Sequence, residues 1–274
     1  MTRLRSVLYM PASNPRAVAK ARELPCDAVI LDLEDAVAPD AKAAARAQAA
    51  AAVRDGGFGK PVVVRINGRG TAWGDDDLAA LAGGAAEAVL VPKVDGPADL
   101  RWARERLAGV PLWAMTESCA GVIALSETVG AAGELGLTAL VAGTNDLAKE
   151  MRSRPDAART PLLPVLTQIV VAARAAGIAT LDGVCNALGD ADRLAAECAQ
   201  GAMLGFDGKT LIHPDQIAAA NAAFAPTAAD IAWASGVLKA FAQPENADKG
   251  AIRFDGAMVE RLHLAEAERI LAAG

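Results

Sequence analysis

Short apolar runs, nearly every one closing on a polar or charged group, recur along the whole chain. They are SVLYMP from Ser6, AVILDLED from Ala28, PVVVRIN from Pro61, AVLVPKV from Ala88, PLWAMTES from Pro111, ALVAGTND from Ala139, ATLDGVC from Ala179 and GAMLGFDGK from Gly201. Buried parallel strands read as continuous apolar runs rather than as alternation. A helical stretch, or a connection long enough to hold one, follows each. Eight such units predict an α/β fold, a closed (β/α)₈ barrel. Barrels of this kind carry their chemistry at the C-terminal ends of the strands. Those ends here hold Glu34, Asp35, Arg65, Asn67, Lys93, Glu117, Asp146, Asp182 and Lys209.

Helix signals fall between the runs. Asn14 or Ser13 caps a helix that has Pro15 at its first position and reaches about Glu23. Asp40 opens an Ala-rich segment to Arg54, stopped by Gly56-Gly57. Asp75–Leu81, Pro97–Leu107 and Cys119–Ala132 fill the next connections. Pro155–Ala176 is interrupted by Pro161 and Pro164, and Asp190–Ala199 and Pro214–Phe224 complete the barrel. The pattern then changes. Thr227 caps a helix to about Phe241, a polar loop leads to the strand-like AIRF and a turn at Asp255-Gly256, and a last helix spans about Val259–Leu271. The expected organisation is a barrel over 1–225 and a C-terminal helical extension, a packing appendage or a lid, over 226–274.

Composition suits this reading. Of 274 residues 53% are hydrophobic but only 4% aromatic, so the core must be built from Ala, Val, Leu and Ile. The net charge of −6 and pI near 5.1 come with no basic patch, which argues against nucleic acid as a partner. No apolar stretch approaches 18 residues, so no membrane span is expected. The arginines and apolar run at the start are read as the first strand rather than a signal segment. Cys26, Cys119, Cys185 and Cys198 form no CxxC pair and read as free thiols of a cytoplasmic protein, with a nucleophilic Cys119 as the sharper alternative.

Glu117 and Asp146 stop the fifth and sixth runs, so their carboxylates can converge on one Mg²⁺, an ion that commonly takes one or two protein carboxylates and keeps waters. Alternatively both are acidic groups at helix N-termini. Two histidines without ligand spacing, His213 and His263, argue against zinc. Arg65 can hold a carboxylate or an enolate oxygen at the barrel mouth, or pair with Glu34 or Asp35, and both can hold. Lys93 and Lys209 can be charge partners or, if desolvated, Schiff-base lysines. His213 before Pro214 reads as a cap more readily than as a base.

Taken together, RSVLYMPASNPRAVAKA, AVILDLEDAVAPDAK, VVVRINGRGTAW, VLVPKVDGPADL, the glutamate of TES, GTNDLA, RTPLLP, AARAAGIATLDGV and GFDGKTLIHPDQI resemble the citrate lyase β-subunit-like branch of the HpcH/HpaI aldolase family. The likeness runs over nearly the whole chain in family order. It implies a Mg²⁺-dependent barrel enzyme that cleaves a carbon–carbon bond in a CoA thioester. It also implies a homotrimer, or a hexamer of two trimers, whose C-terminal segment reaches a neighbour's active site. By this resemblance Glu117 and Asp146 are the metal ligands and Arg65 binds substrate. The DLED segment, with Glu34 and Asp35, lies near the metal, and Lys93 stands beside it among the substrate-binding groups. The family's acid/base aspartate, two residues after a methionine, corresponds to Glu260 in FDGAMVERLH, with Asp255 as the nearby alternative. Ala12 departs from the family's usual glycine.

The resulting expectation is a lyase acting on malyl-CoA or citramalyl-CoA. Variants on the same site are a malyl-CoA thioesterase or malate-synthase-like enzyme and a citrate lyase β subunit acting on a citryl group held by an acyl carrier protein. A non-CoA aldolase and a barrel retained as a scaffold are further alternatives.

Overall fold

The computed structural model describes residues 3–84 and 86–273. By internal contacts the chain divides into two compact units between Ala223 and Phe224. In the first, β1 (Ser6–Pro11), β2 (Ala28–Asp32), β3 (Val62–Arg65), β4 (Ala88–Val91), β5 (Leu112–Thr116), β6 (Leu137–Ala142), β7 (Ala179–Asp182) and β8 (Gly208–Leu211) pair in sequence order as a closed parallel barrel. Alternate residues point inward. Val7, Ala28, Ile30, Val63, Leu90, Trp113, Met115, Val141 and Leu181 form one buried cluster, the filled barrel lumen. Closure depends on a small residue: a Cβ at Gly208 would overlap the Leu4 carbonyl where β8 meets β1.

Between the strands lie α1 (Pro15–Ala21), α2 (Lys42–Asp55), α3 (Gly74–Leu81), α4 (Pro97–Arg104), α5 (Cys119–Ile123), α6 (Leu125–Gly130), α7 (Ala132–Leu135), α8 (Thr144–Glu150), α9 (Leu163–Ala176), α10 (Ala191–Leu204) and α11 (Ile217–Ala223). Helix α2 buries Lys42, Ala45, Ala49 and Ala52, a stripe at helical spacing.

Several boundaries differ from the sequence expectation. The eighth run is not a strand from Gly201: Gly201–Leu204 finish α10, left-handed Gly205 stops it, and β8 begins at Gly208. The single helix expected over Cys119–Ala132 is broken at Ala124 and Ala131, where ψ is near zero, within a stretch weakened by Gly121, Gly130 and Gly133. Pro161 and Pro164 are confined to a first turn, so the helix expected from Pro155 becomes a 3₁₀ turn at Thr160–Leu162 followed by α9.

The second unit contains α12 (Ala228–Phe241), an antiparallel hairpin of β9 (Ala251–Phe254) and β10 (Ala257–Glu260), and α13 (Leu262–Ala273). Thr227 and Asp230 cap α12 reciprocally, the Asp230 amide donating to Thr227 Oγ1 at 3.1 Å and the Thr227 amide to Asp230 at 2.8 Å. Ala234, Val237, Phe241, Ile252, Val259 and Ala267 are its own core. The last helix does not start at Val259, because Val259 pairs with Ile252 in the hairpin and is buried there.

Candidate active site

Register and parity decide which strand-end groups face the barrel mouth. Asp32 and Arg65 are direct partners across β2 and β3, two residues beyond the inward Ile30 and Val63. Both therefore point into the lumen. The Arg65 guanidinium forks onto Asp32, Nε to Oδ1 at 2.7 Å and Nη2 to Oδ2 at 2.5 Å, and lies over the Tyr9 ring at 4.9 Å. Its Nη1 is 2.9 Å from Glu34 Oε2 and 3.7 Å from Asp35. Sequence reasoning named Glu34 and Asp35 as the structural partners of Arg65. The principal one is Asp32, and the in-register pairing with shared parity was the signal that could have found it. Burial works against the Arg65 charge, yet Asp32 and its neighbours hold the guanidinium above its ordinary range.

The loop after β2 is tied from both sides. Asp32 accepts from the amides of Glu34 at 2.9 Å and Ala36 at 3.1 Å. The buried Lys42 ammonium donates to the carbonyls of Leu33 at 2.7 Å and Glu34 at 2.6 Å. Asn67 is likewise a fastener, donating from its side chain to Leu33 O at 3.0 Å and to the buried Asp77 at 2.6 Å. These bonds leave the Glu34 carboxylate aimed into the mouth, where burial pushes its pKa up.

Glu117 follows β5 directly and is 3% exposed. Burial, then the nearby Glu34, pushes its carboxyl up to about 7. It fits because position 143 is glycine: a Cβ there would overlap the Glu117 Cβ and stand 2.6 Å from its Oε2. Asp146 is not at a strand end, since β6 stops at Ala142; it lies in the first turn of α8. The Lys93 side chain joins these groups. Its Nζ is 3.0 Å from Glu34, 3.1 Å from Asp146 and 3.9 Å from Glu117, and its amide donates to Glu117 Oε1 at 2.7 Å. Burial opposes the ammonium, but Glu117 and Glu34 outweigh it and raise its pKa. Beside these groups opens a cleft of about 500 Å³ bordered by Glu34, Asp35, Asn67, Arg69, Trp73 and Lys93.

This donor set suits a hard divalent cation. It is made of carboxylate oxygens, and Asp32, Glu34, Asp35, Glu117 and Asp146 outnumber Arg65, Lys93 and Lys42. Three of the carboxylates already border one positive charge, that of Lys93. Among the described residues no group of three or more His, Cys, Asp or Glu side chains is placed to hold a metal ion, which leaves a set of one or two carboxylates. Magnesium fits such a partial set, since it prefers few protein ligands and retains water.

The HpcH/HpaI aldolase/citrate lyase family model matches residues 5–214. The chain belongs to that family. It is 45% identical over 269 residues to a (3S)-malyl-CoA thioesterase of Cereibacter sphaeroides, covering 98% of this chain and 93% of the relative. It is 29% identical to mitochondrial citramalyl-CoA lyase of Mus musculus, covering 97% and 85%. Among solved structures, CitE from Mycobacterium tuberculosis in complex with magnesium, acetoacetate and coenzyme A superposes with a TM-score of 0.81 at 32% identity, over 98% of this chain and 97% of that one.

In this family member the remaining sequence candidates make contacts of other kinds. Asp182 and Lys209 alternate with the lumen residues and so face the helix layer, both 0% exposed. Asp182 accepts from Lys209 at 2.9 Å and from Arg159 at 2.8 Å, and Glu197 lies 3.3 Å from Lys209. Burial opposes the Asp182 charge, but Lys209 and Arg159 hold the carboxyl below its ordinary range. Lys209 is thus a sealed charge partner and not a Schiff-base lysine. His213 accepts from the Asp215 amide at 3.3 Å as a cap. Cys119 is the half-buried first residue of α5, whose cap is Ser118. In the second unit Asp255 and Gly256 have φ of 47° and 80°, the two-residue turn that a tight hairpin requires, which commits Asp255 to turn geometry. Glu260 ends β10 half-buried, and its amide donates to His263 Nδ1 at 3.0 Å.

Proposed function

We propose that this protein is a Mg²⁺-dependent carbon–carbon lyase acting on a β-hydroxyacyl-CoA such as malyl-CoA or citramalyl-CoA, releasing an acyl-CoA and a 2-keto acid. The supporting observation is the convergence of Glu34, Glu117 and Asp146 around one cation position beside the clamped Arg65. Glu117 and Asp146 would hold the metal with waters completing its shell. The bound ion supplies a Lewis acid for the substrate's hydroxyl and carboxylate oxygens. Arg65 offers Nη1, the edge not spent on Asp32, to the oxygen that gains charge as the thioester enolate forms. The Glu260 carboxylate takes the hydroxyl proton, the bond between the carbinol and α-carbons breaks as the carbinol carbon becomes the keto carbon, and the bond's electron pair passes into the enolate. Glu260 returns a proton to the enolate carbon; the turn role of Asp255 favours Glu260 over it. Asp35 and Lys93 line the substrate's approach.

The name of the 45% identical relative favours a second reading, hydrolysis of malyl-CoA on the same site. One assay separates them. The protein with Mg²⁺ is given malyl-, methylmalyl- and citramalyl-CoA, and keto acid and free thiol are followed together. Cleavage releases keto acid with no thiol; hydrolysis releases thiol with no keto acid. Neither product from any of the three would defeat both readings.

We further place the protein in the cytoplasm as a homotrimer or hexamer in which the segment after Phe224 supplies Glu260 to a neighbour's site. Four free cysteines support the compartment. No helix among the described residues is long and apolar enough to cross a membrane. Turnover of a citryl group on an acyl carrier protein, with none on the CoA thioesters, would reassign the chain to the citrate lyase β role.

A further inference from the structure

We propose that the Lys93 ammonium and a divalent cation compete for one position, the point between Glu34, Glu117 and Asp146, so that loading the metal expels the lysine side chain. The proposal rests on the metal reading above and adds a built-in competitor to it. The geometry is not that of a rim salt bridge. The Lys93 backbone is left-handed, with φ of 49°, a conformation that costs a non-glycine residue and persists only where its surroundings fix it. That turn lets one residue address Glu117 twice, through its amide at 2.7 Å and its ammonium at 3.9 Å. The same ammonium bridges Glu34 at 3.0 Å and Asp146 at 3.1 Å.

A magnesium ion would be held here by Glu117 and Asp146, with Glu34 beside them. It would share the volume and the counter-charge that the ammonium holds, and two cations so close repel strongly. Lys93 has a way out. Its side chain is 48% exposed and borders the cleft whose wall also carries Asp35, Asp95 and Asp99, carboxylates able to receive it. A lysine suits this role better than an arginine, being a compact point charge on a flexible stem. The tethered charge balances the buried Glu34 and Glu117, and it sets the metal concentration at which the enzyme becomes loaded.

Two measurements test this without reference to turnover. Calorimetric titration of Mg²⁺ at pH 8.5 compares the natural protein with Lys93→Met, Glu117→Gln and Asp146→Asn. Competition predicts affinity on the order of tenfold tighter in Lys93→Met, from the removed like charge. In the natural protein, acetylation of Lys93 by acetic anhydride, read by peptide mass spectrometry, should be several-fold faster with saturating Mg²⁺. Equal or weaker binding by Lys93→Met, or Mg²⁺ protection of Lys93, would overturn the competition while the metal reading survives through the losses in Glu117→Gln and Asp146→Asn. Unchanged binding in those two carboxamide variants would instead remove the metal reading and this proposal with it.

Discussion

At the scale of single residues, the site depends on how tightly two side chains are held. Arg65 is fixed by a two-point bond to Asp32 and by the Tyr9 ring beneath it, so little reorganisation remains when charge develops beside its Nη1, the edge that faces Glu34. A lysine would keep the charge but lose the fork. Arg65→Lys should therefore lower kcat on the order of 10²–10³, comparable with the loss of one oxyanion donor. Steady-state kinetics check this, and near-normal kcat would reduce Arg65 to a partner of Asp32. Glu117 depends on its neighbour in the opposite sense, by the absence of a side chain. Gly143→Ala would drive a Cβ into Glu117 and turn its carboxylate from the mouth. Calorimetry should then show Mg²⁺ affinity at least about tenfold weaker, with circular dichroism unchanged, because one misplaced ligand costs a large part of the binding geometry.

At the scale of elements, inward and outward parity separates chemistry from structure. Lys209 and Asp182 end their strands as suggestively as Arg65 and Glu117 do, yet their parity turns them to the helix layer, where Arg159 and Glu197 complete a buried ionic cluster. Removing one member leaves an uncompensated buried charge, so Lys209→Met should lose about 3–5 kcal/mol in urea unfolding at pH 7. The lowered Asp182 pKa means that its stabilisation is present above the unfolded carboxylate value, near about 3.9, and is lost as pH falls through the lower folded value. The deficit of Lys209→Met should accordingly shrink below about pH 4, where Asp182, left with Arg159 alone, takes up a proton. The eight strands were legible in the chain because parallel strands must be apolar on both faces. Strand ends were legible only as positions. Whether a residue faces lumen or helices needs the register, and a one-residue shift reverses it. That is why Asp32, the true partner of Arg65, was passed over for Glu34 and Asp35. Asp146 was placed on a strand because GTND continues an apolar run, whereas the chain turns at Gly143 and carries Asp146 on α8. Lys42 and Gly143 lay within quoted segments but carried no sign of their roles, and Asp77 lay outside them, since these residues fasten the loops or leave space and do no chemistry of their own.

At the scale of the whole molecule, the segment after Phe224 is a structured unit with its own core, and a unit of that kind can serve its own barrel or another's. Glu260 ends its hairpin, held through its amide by His263 at 3.0 Å, so its carboxylate is presented from an ordered strand and not from a loose tail. If each site combines the barrel of one chain with Glu260 of a neighbour, two differently damaged chains can repair each other. Arg65→Ala lacks the clamp for the enolate, and Glu260→Gln lacks the proton donor. After subunit exchange at equal amounts, a site is whole only where a Glu260→Gln barrel meets an Arg65→Ala tail, which random assembly gives in about a quarter of sites. Activity near that fraction of the natural enzyme, from two inactive parents, is the expected outcome. Exchange must be verified independently, for instance by mass spectrometry of differently tagged chains. Exchanged oligomers that stay inactive would mean that Glu260 serves its own barrel or that the proton comes from elsewhere. Asp255→Asn in the otherwise natural protein distinguishes those two: it keeps a residue that tolerates the left-handed turn while removing the only other acid of the hairpin, so full activity leaves Glu260 serving its own barrel and lost activity moves the proton to Asp255.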